Sequence, residues 1–260
     1  MSVAKHLSNY PALNAYIESL RPIPAGTFQM GSTTGDADQH PVHTVTLSAF
    51  RMGATPVTVA IWKEYCAATG TKLPEAPDWG LLDDHPVVNV SWIDIMGSDG
   101  TGGFCGWASD VAGFRLTVPT EAQFEYASRG GQSGLGYPWG DVFDQAKLWC
   151  SGADFADVDA TASVHRSTNV FRNAFGLSDM TGNVWQWCFD VYSPYTGSPK
   201  IDSSGPVSTL GSDRCVRGGP WFSLDPAIFR SATRFQNAPD EWIDGIGFRL
   251  VAGPFSTDSR

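Results

Sequence analysis

RGGPWFSLDPAIFRSATRFQNAPDEWIDGIGFRLV, residues 217–251, mixes two kinds of text. A frame of Arg217-Gly218-Gly219, Trp221, Arg230-Ser231-Ala232, Arg234 and Ile246-Gly247-Phe248-Arg249 encloses miscellaneous contents. Between the frame residues, Phe222, Leu224, Phe235, Trp242 and Ile243 lie among Ser223, Asp225, Gln236, Glu241 and Asp244. A core-facing run repeats every two residues in a strand or about every 3.6 in a helix. These contents do neither. Large apolar side chains interspersed with polar ones are the composition of an interface. The frame reads differently: Trp221, Ile246 and Phe248, with Trp185 and Trp187 upstream, are expected in the core. Arg217, Arg230, Arg234 and Arg249 are expected as internal hydrogen-bonding struts.

The rest of the chain is consistent with a scaffold for such a segment. Of 260 residues, 42% are hydrophobic, and 15 Phe, 7 Tyr and 10 Trp can build a substantial core. Only 17% are charged, while 28 Gly and 17 Pro point to turns and long loops. A formal charge of −10, with 17 basic residues scattered among 27 acidic ones, argues against nucleic acid as a partner. Cys66, Cys105, Cys150, Cys188 and Cys215 are odd in number and lack CxxC spacing, so they read as buried free thiols. MSVAKHLSNYPALNAYIESL has no uninterrupted apolar run, so a signal peptide is not expected. No membrane span is expected either. The default location is cytoplasmic, with surface display or export left open.

Residues 3–20 carry apolar positions at helical spacing and read as a helical extension over residues 1–22. A single domain then runs over 23–254. In HTVTLSAF, Val45 and Leu47 alternate with Thr44, Thr46 and Ser48, a half-buried strand. PVTVAIWKEYCAATG reads as a helix from Thr58 to Gly70. PVVNVSW reads as a strand before a further helix. In PTEAQFEYASRGG, Thr120 and Gln123 form a capping-box pattern, Phe124 and Ala127 face the core, and Gly130 and Gly131 stop the helix. Short strands, few helices and long loops define a single α+β domain.

A search for catalytic constellations returns little. His40 and His43 sit three apart on an extended segment and point to opposite faces. There is no GxSxG, P-loop, HExxH or dinucleotide fingerprint. What the chain does contain, in order, is IPAGTFQMGS, HPVHTVTLSAF, PVTVAIW, PVVNVSW, FRLTVPTEAQFEYASRGG, YPWG, FGLSDMTGNVWQW, RCVRGGPW, RSATR and IGFRLV. Together these resemble the formylglycine-generating-enzyme/sulfatase-modifying-factor domain, a large variant of the C-type lectin fold, from Ile23 to Val251.

That resemblance has several functional branches. The oxidase branch implies a copper site of two cysteines shortly after the RGG, where this chain places Ser223 and Ile228. A hydroxyl and an alkyl group cannot supply soft thiolates for Cu(I). The sulfoxide-synthase branch implies an iron-binding HxxxHxE helical domain, a spacing the five histidines never show. The family also implies structural calcium. Asn183 and Gln186 are its candidate ligands here, while Lys147 stands where a second site has an Asn. The third branch comprises the variable proteins of diversity-generating retroelements, and residues 217–251 resemble their variable segment in frame and length. In that branch, adenines of the template are replaced. Randomised AAC or AAT codons reach Phe222, Ser223, Leu224, Asp225, Ile228, Thr233, Phe235, Asn237, Ile243, Asp244 and Gly245, whereas Gln236, Glu241 and Trp242 need other adenine-containing codons.

The expectation is a non-enzymatic, receptor-like binding protein. Its ligand, another protein, would meet Phe222, Ser223, Leu224, Asp225, Ile228, Thr233, Phe235, Gln236, Asn237, Glu241, Trp242, Ile243 and Asp244. It has no catalytic residues and no required cofactor. The alternatives are a formylglycine-generating-type copper oxidase of cysteine with an altered or lost metal site, and an accessory module for a partner encoded nearby.

Overall fold

His43, Val45 and Leu47 turn inward while Thr44 and Thr46 stay half-exposed, and this alternation makes strand β3 (His43–Leu47). It pairs antiparallel with β2 (Gly26–Met30), placing Val45 opposite Phe28. The short β6 (Lys200–Ile201) lies parallel on its other edge. The computed structural model describes residues 7–151, 159–166, 172–203 and 211–253. A second small sheet, β1 (Arg21–Ile23), β4 (Phe50–Met52) and β10 (Val251–Ala252), ties the start of the described chain to its end. The third sheet carries the segment of interest, in the order β8 (Arg234–Asn237), β7 (Arg214–Arg217), β5 (Trp185–Val191) and β9 (Ile246–Gly247).

Five α-helices surround these sheets among the described residues: α1 (Pro11–Glu18), α2 (Val59–Thr69), α3 (Trp92–Met96), α4 (Gly103–Ala112) and α5 (Glu121–Ser128). Among the described residues, the helix expected over 3–20 runs chiefly as α1, which Pro11 opens. Residues 1–6 of that expectation lie outside the described residues. Leu13 and Tyr16 are buried, and Glu64 of α2 accepts from the free amides of Ala12 and Leu13 at 2.8 and 3.0 Å. Thr58 precedes α2, but its hydroxyl makes no capping bond; Gly70 ends the helix in the left-handed region. The Thr120–Gln123 capping box forms as expected, with both reciprocal bonds present.

One expected strand does not form. PVVNVS contributes only the isolated bridge of Pro86 to Thr58, because Asn89 adopts a φ of 56° and breaks the extended run. Its amide donates instead to the Ile243 carbonyl at 3.2 Å, so the segment supports the 239–244 loop from below. Expected core residues Ile246, Phe248, Trp185 and Trp187 are buried, with Phe248 and Phe104 at 5.2 Å between ring centres. Trp221 is not a core residue. It is half-buried, edge-on to Trp79 and Phe222 at 5.3 Å each.

The RGG triplet has a conformational cause. Gly218 and Gly219 have φ of 104° and 87°, and a Cβ on Gly219 would lie 2.7 Å from a ring carbon of the fully buried Phe229. Gly134 has a similar φ of 80° but open space around it. Gly134→Ala should therefore cost only the strain of a left-handed residue, about 1–2 kcal/mol. Gly219→Ala adds overpacking of about 1–3 kcal/mol. Urea unfolding of the two variants checks the difference, and equal losses would contradict the packing explanation.

Candidate ligand-binding surface

Helix α5 is buried along its whole length, yet it carries Glu121 and Glu125. Their partners are frame arginines. Arg234 grips Glu121 with two bonds of 2.7 Å, from Nε and Nη2. Arg217 donates to Glu125 and to the Ala232 carbonyl at 2.7 Å. Arg129 completes the cluster, donating from Nε to Glu125 at 3.0 Å. Charge-assisted, bidentate pairs of this kind are short and directional. Burial by itself would lower Arg217 and Arg234, but the neighbouring carboxylates dominate and raise both. Burial likewise works against ionised Glu121, and Arg234 and Arg217 overcome it, holding its carboxyl below the ordinary value.

Arg249 is held differently. It donates to Gln186 Oε1 at 2.6 Å and to the carbonyls of Gly53, Ser178 and Asp179. With no carboxylate bonded to it, burial lowers it to about 10. Arg217, Arg234 and Arg249 are thus the expected struts. Arg230 is not one: it is half-exposed and donates to Thr34 Oγ1 at 3.0 Å. Sequence reasoning missed Glu121 and Glu125, whose sequence distances from Arg234 and Arg217 are 113 and 92. The available signal was two acids four apart on a helix whose other residues read as core.

Between these anchors the chain runs out to the surface. Nine large apolar side chains are prominently exposed among the described residues, and five of them are Phe222, Leu224, Phe235, Trp242 and Ile243. That concentration within so short a segment separates it from ordinary scattered exposure. Phe235 stacks on the buried Trp185 at 5.8 Å. Gly245 lies under Phe222, where a Cβ would come within 2.5 Å of the ring. Trp221 Nε1 donates to the Asp244 carbonyl at 3.2 Å, drawing residues 221–222 and 243–245 together. Asp225, Gln236 and Glu241 are exposed; Ser223, Ile228, Asn237 and Asp244 are half-buried. Thr233 departs from expectation: it is buried, and its hydroxyl donates to the Ala227 carbonyl at 2.7 Å.

The implied metals can be tested on the residues present. Asn183 and Gln186 are fully buried. Asn183 Oδ1 accepts from the Ala162 amide at 2.9 Å, and Gln186 Oε1 faces the Arg249 guanidinium. A cation at Gln186 would meet that positive charge, so these two side chains do not fit a calcium ion. Lys147 sits beside Asp144 at 3.8 Å. For copper, Ser223 and Ile228 offer no soft donor. The five cysteines are free and buried. Burial, then Asp190 and Glu121, raise the Cys188 thiol well above its ordinary value; burial, then Glu121 and Asp190, do the same at Cys215.

With this geometry in place, the class of protein is defined: an α+β domain of the C-type lectin-like, formylglycine-generating-enzyme type. The chain belongs to the sulfatase-modifying factor family, since the sulfatase-modifying factor enzyme 1-like domain matches residues 13–253. The formylglycine-generating enzyme of Streptomyces coelicolor is 34% identical, over 88% of this chain and 87% of that protein. The solved structure of PvdO from Pseudomonas aeruginosa superimposes with a TM-score of 0.77 at 27% identity, covering 90% of this chain and 94% of that one. Treponema denticola variable protein 1 superimposes with a TM-score of 0.73 at 24% identity, covering 90% and 95%, a likeness of fold.

The anchoring cluster also sets a pH dependence. Burial first, and the Glu121 charge second, raise Asp190 to about 7, although its carboxylate accepts from the Glu121 amide at 2.8 Å. An unfolded Asp titrates near about 4. Between those values the folded state holds the extra proton, so this group's stabilising contribution falls as pH rises. Asp190→Asn should remove that slope. The native protein is expected to lose on the order of 2–4 kcal/mol more than the variant between about pH 4 and pH 8. Urea titrations at both pH values measure it; parallel curves would contradict the assignment.

Proposed function

We propose that this chain is a non-enzymatic binding protein. It presents residues 222–245 to a protein ligand, on a surface diversified by a retroelement. One observation carries the reading: the exposed apolar contents are separate from the buried arginines that anchor the segment. The frame's Arg217, Arg234 and Arg249 are fixed by internal bonds, while Phe222, Leu224, Phe235, Trp242 and Ile243 face solvent. Exposed aromatic and aliphatic groups bordered by carboxylates and amides suit hot-spot binding. A specific protein contact buries about 800 Å² per partner, so a ligand would have to cover most of this segment rather than one side chain.

The second reading is a cysteine oxidase with an altered metal site, favoured by 34% identity to a formylglycine-generating enzyme. Against it stand the hydroxyl of Ser223 and the alkyl group of Ile228 at the expected copper positions. The two readings separate in one assay. Incubated with Cu(I), oxygen, a thiol reductant as electron source and a cysteine peptide, the protein should form no formylglycine. Conversion to formylglycine that survives loss of Cys188 and Cys215 would refute the binding reading. The retroelement origin is checked in the DNA beside the gene. A near-copy of the region encoding residues 217–251, differing only at adenines and lying next to a reverse transcriptase, is the expected arrangement; a complete genome without one removes that origin.

A further inference from the structure

The ionised groups of the exposed segment are predominantly acidic. Asp225, Asp240 and Glu241 are exposed, and Asp244 is half-buried beside Asp78, whose charge adds to burial in raising the Asp244 carboxyl. The neighbouring 75–80 loop adds exposed Glu75 and Asp78, and its Trp79 packs on Trp221. Of the two basic side chains of 222–245, Arg234 is buried on Glu121, and the half-exposed Arg230 lies near Tyr137 with Asp225 and donates to Thr34, so four carboxylates outnumber one partly open guanidinium. Along the chain, carboxylates therefore alternate with the open rings of Phe222, Phe235 and Trp242.

We infer that the partner of this surface is a cationic protein segment whose Lys or Arg side chains lie between the exposed aromatic rings and the carboxylates of 225 and 240–244. This inference rests on reading 222–245 as a binding surface. An aromatic face attracts a cation through its quadrupole, most strongly when water is displaced. Carboxylates around an apolar centre steer oppositely charged partners and repel like-charged ones. The same charges disfavour a polyanion, whether nucleic acid or an anionic membrane. The whole chain's charge of −10 adds a long-range attraction of the same sign, so a local site must be distinguished from that general field.

The test uses the whole protein, immobilised, and a phage-displayed library of random peptides. Peptides enriched on it should be net positive and rich in Arg and Lys. Their binding should weaken about tenfold between about 50 and 500 mM NaCl, as the Debye length shrinks. A variant carrying Asp225→Asn, Asp240→Asn, Glu241→Gln and Asp244→Asn should lose those peptides by tenfold or more. A control with four remote, exposed acids neutralised (Glu18→Gln, Asp36→Asn, Asp83→Asn and Asp110→Asn) should keep them. Enriched peptides without a charge preference, or lost equally on the control, overturn the cationic partner while leaving a binding surface. Enrichment of no peptide at all on the unmodified protein overturns the binding reading and this inference with it.

Discussion

Two glutamates on one buried helix hold the C-terminal segment in place. Glu121 and Glu125 of α5 receive Arg234 and Arg217 from neighbouring strands β8 and β7, and every member of the cluster is buried. Inside a protein such charges carry a desolvation penalty of several kcal/mol each, and only mutual pairing offsets it. Removing one partner therefore leaves an uncompensated charge, at a loss on the order of 3–5 kcal/mol. Arg249 repeats the device with carbonyls and an amide in place of carboxylates. Segment 217–249 is thereby fixed at its two ends and at Arg234 by bonds that involve none of the surface side chains.

That separation is what permits the contents to be miscellaneous. Phe229 and Thr233 are buried, while Phe222, Leu224 and Trp242 keep a large part of their surface open to solvent. The resemblance to the oxidase branch implies two soft donors at 223 and 228, where this chain carries a hydroxyl and an alkyl group on a loop shaped by its glycines, arginines and aromatic core.

Local chemistry was legible in the sequence; long-range pairing was not. The Thr120–Gln123 box, the Gly70 stop and the alternation over 44–48 depend on neighbours within four residues, and each is present. The expected strand at PVVNVS fails because Asn89 turns into the left-handed region to meet the Ile243 carbonyl, a contact no local pattern encodes. Trp221 was misplaced in the core because its actual neighbour, Trp79, lies on a distant loop. Gln186 resembled a calcium ligand until Arg249, 63 residues away, took its oxygen. The exposed apolar residues were recognised because lack of period is itself a local property. Thr233 is buried despite its reachable codon, since reachability by codon says nothing about burial.

The central claim is that frame and contents are energetically independent. Thermal unfolding measures it in a variant with Phe222, Leu224, Phe235, Gln236, Glu241, Trp242 and Ile243 all replaced by Ser or Asn, beside the single variant Arg217→Met. The composite should melt within about 5 °C of the native protein, since changes of about ±0.5 kcal/mol at seven exposed positions combine, with mixed sign, to about 1–2 kcal/mol. Arg217→Met should melt about 6–20 °C lower, the equivalent of 3–5 kcal/mol. A composite that unfolds like Arg217→Met would show that the contents are part of the core and contradict the account.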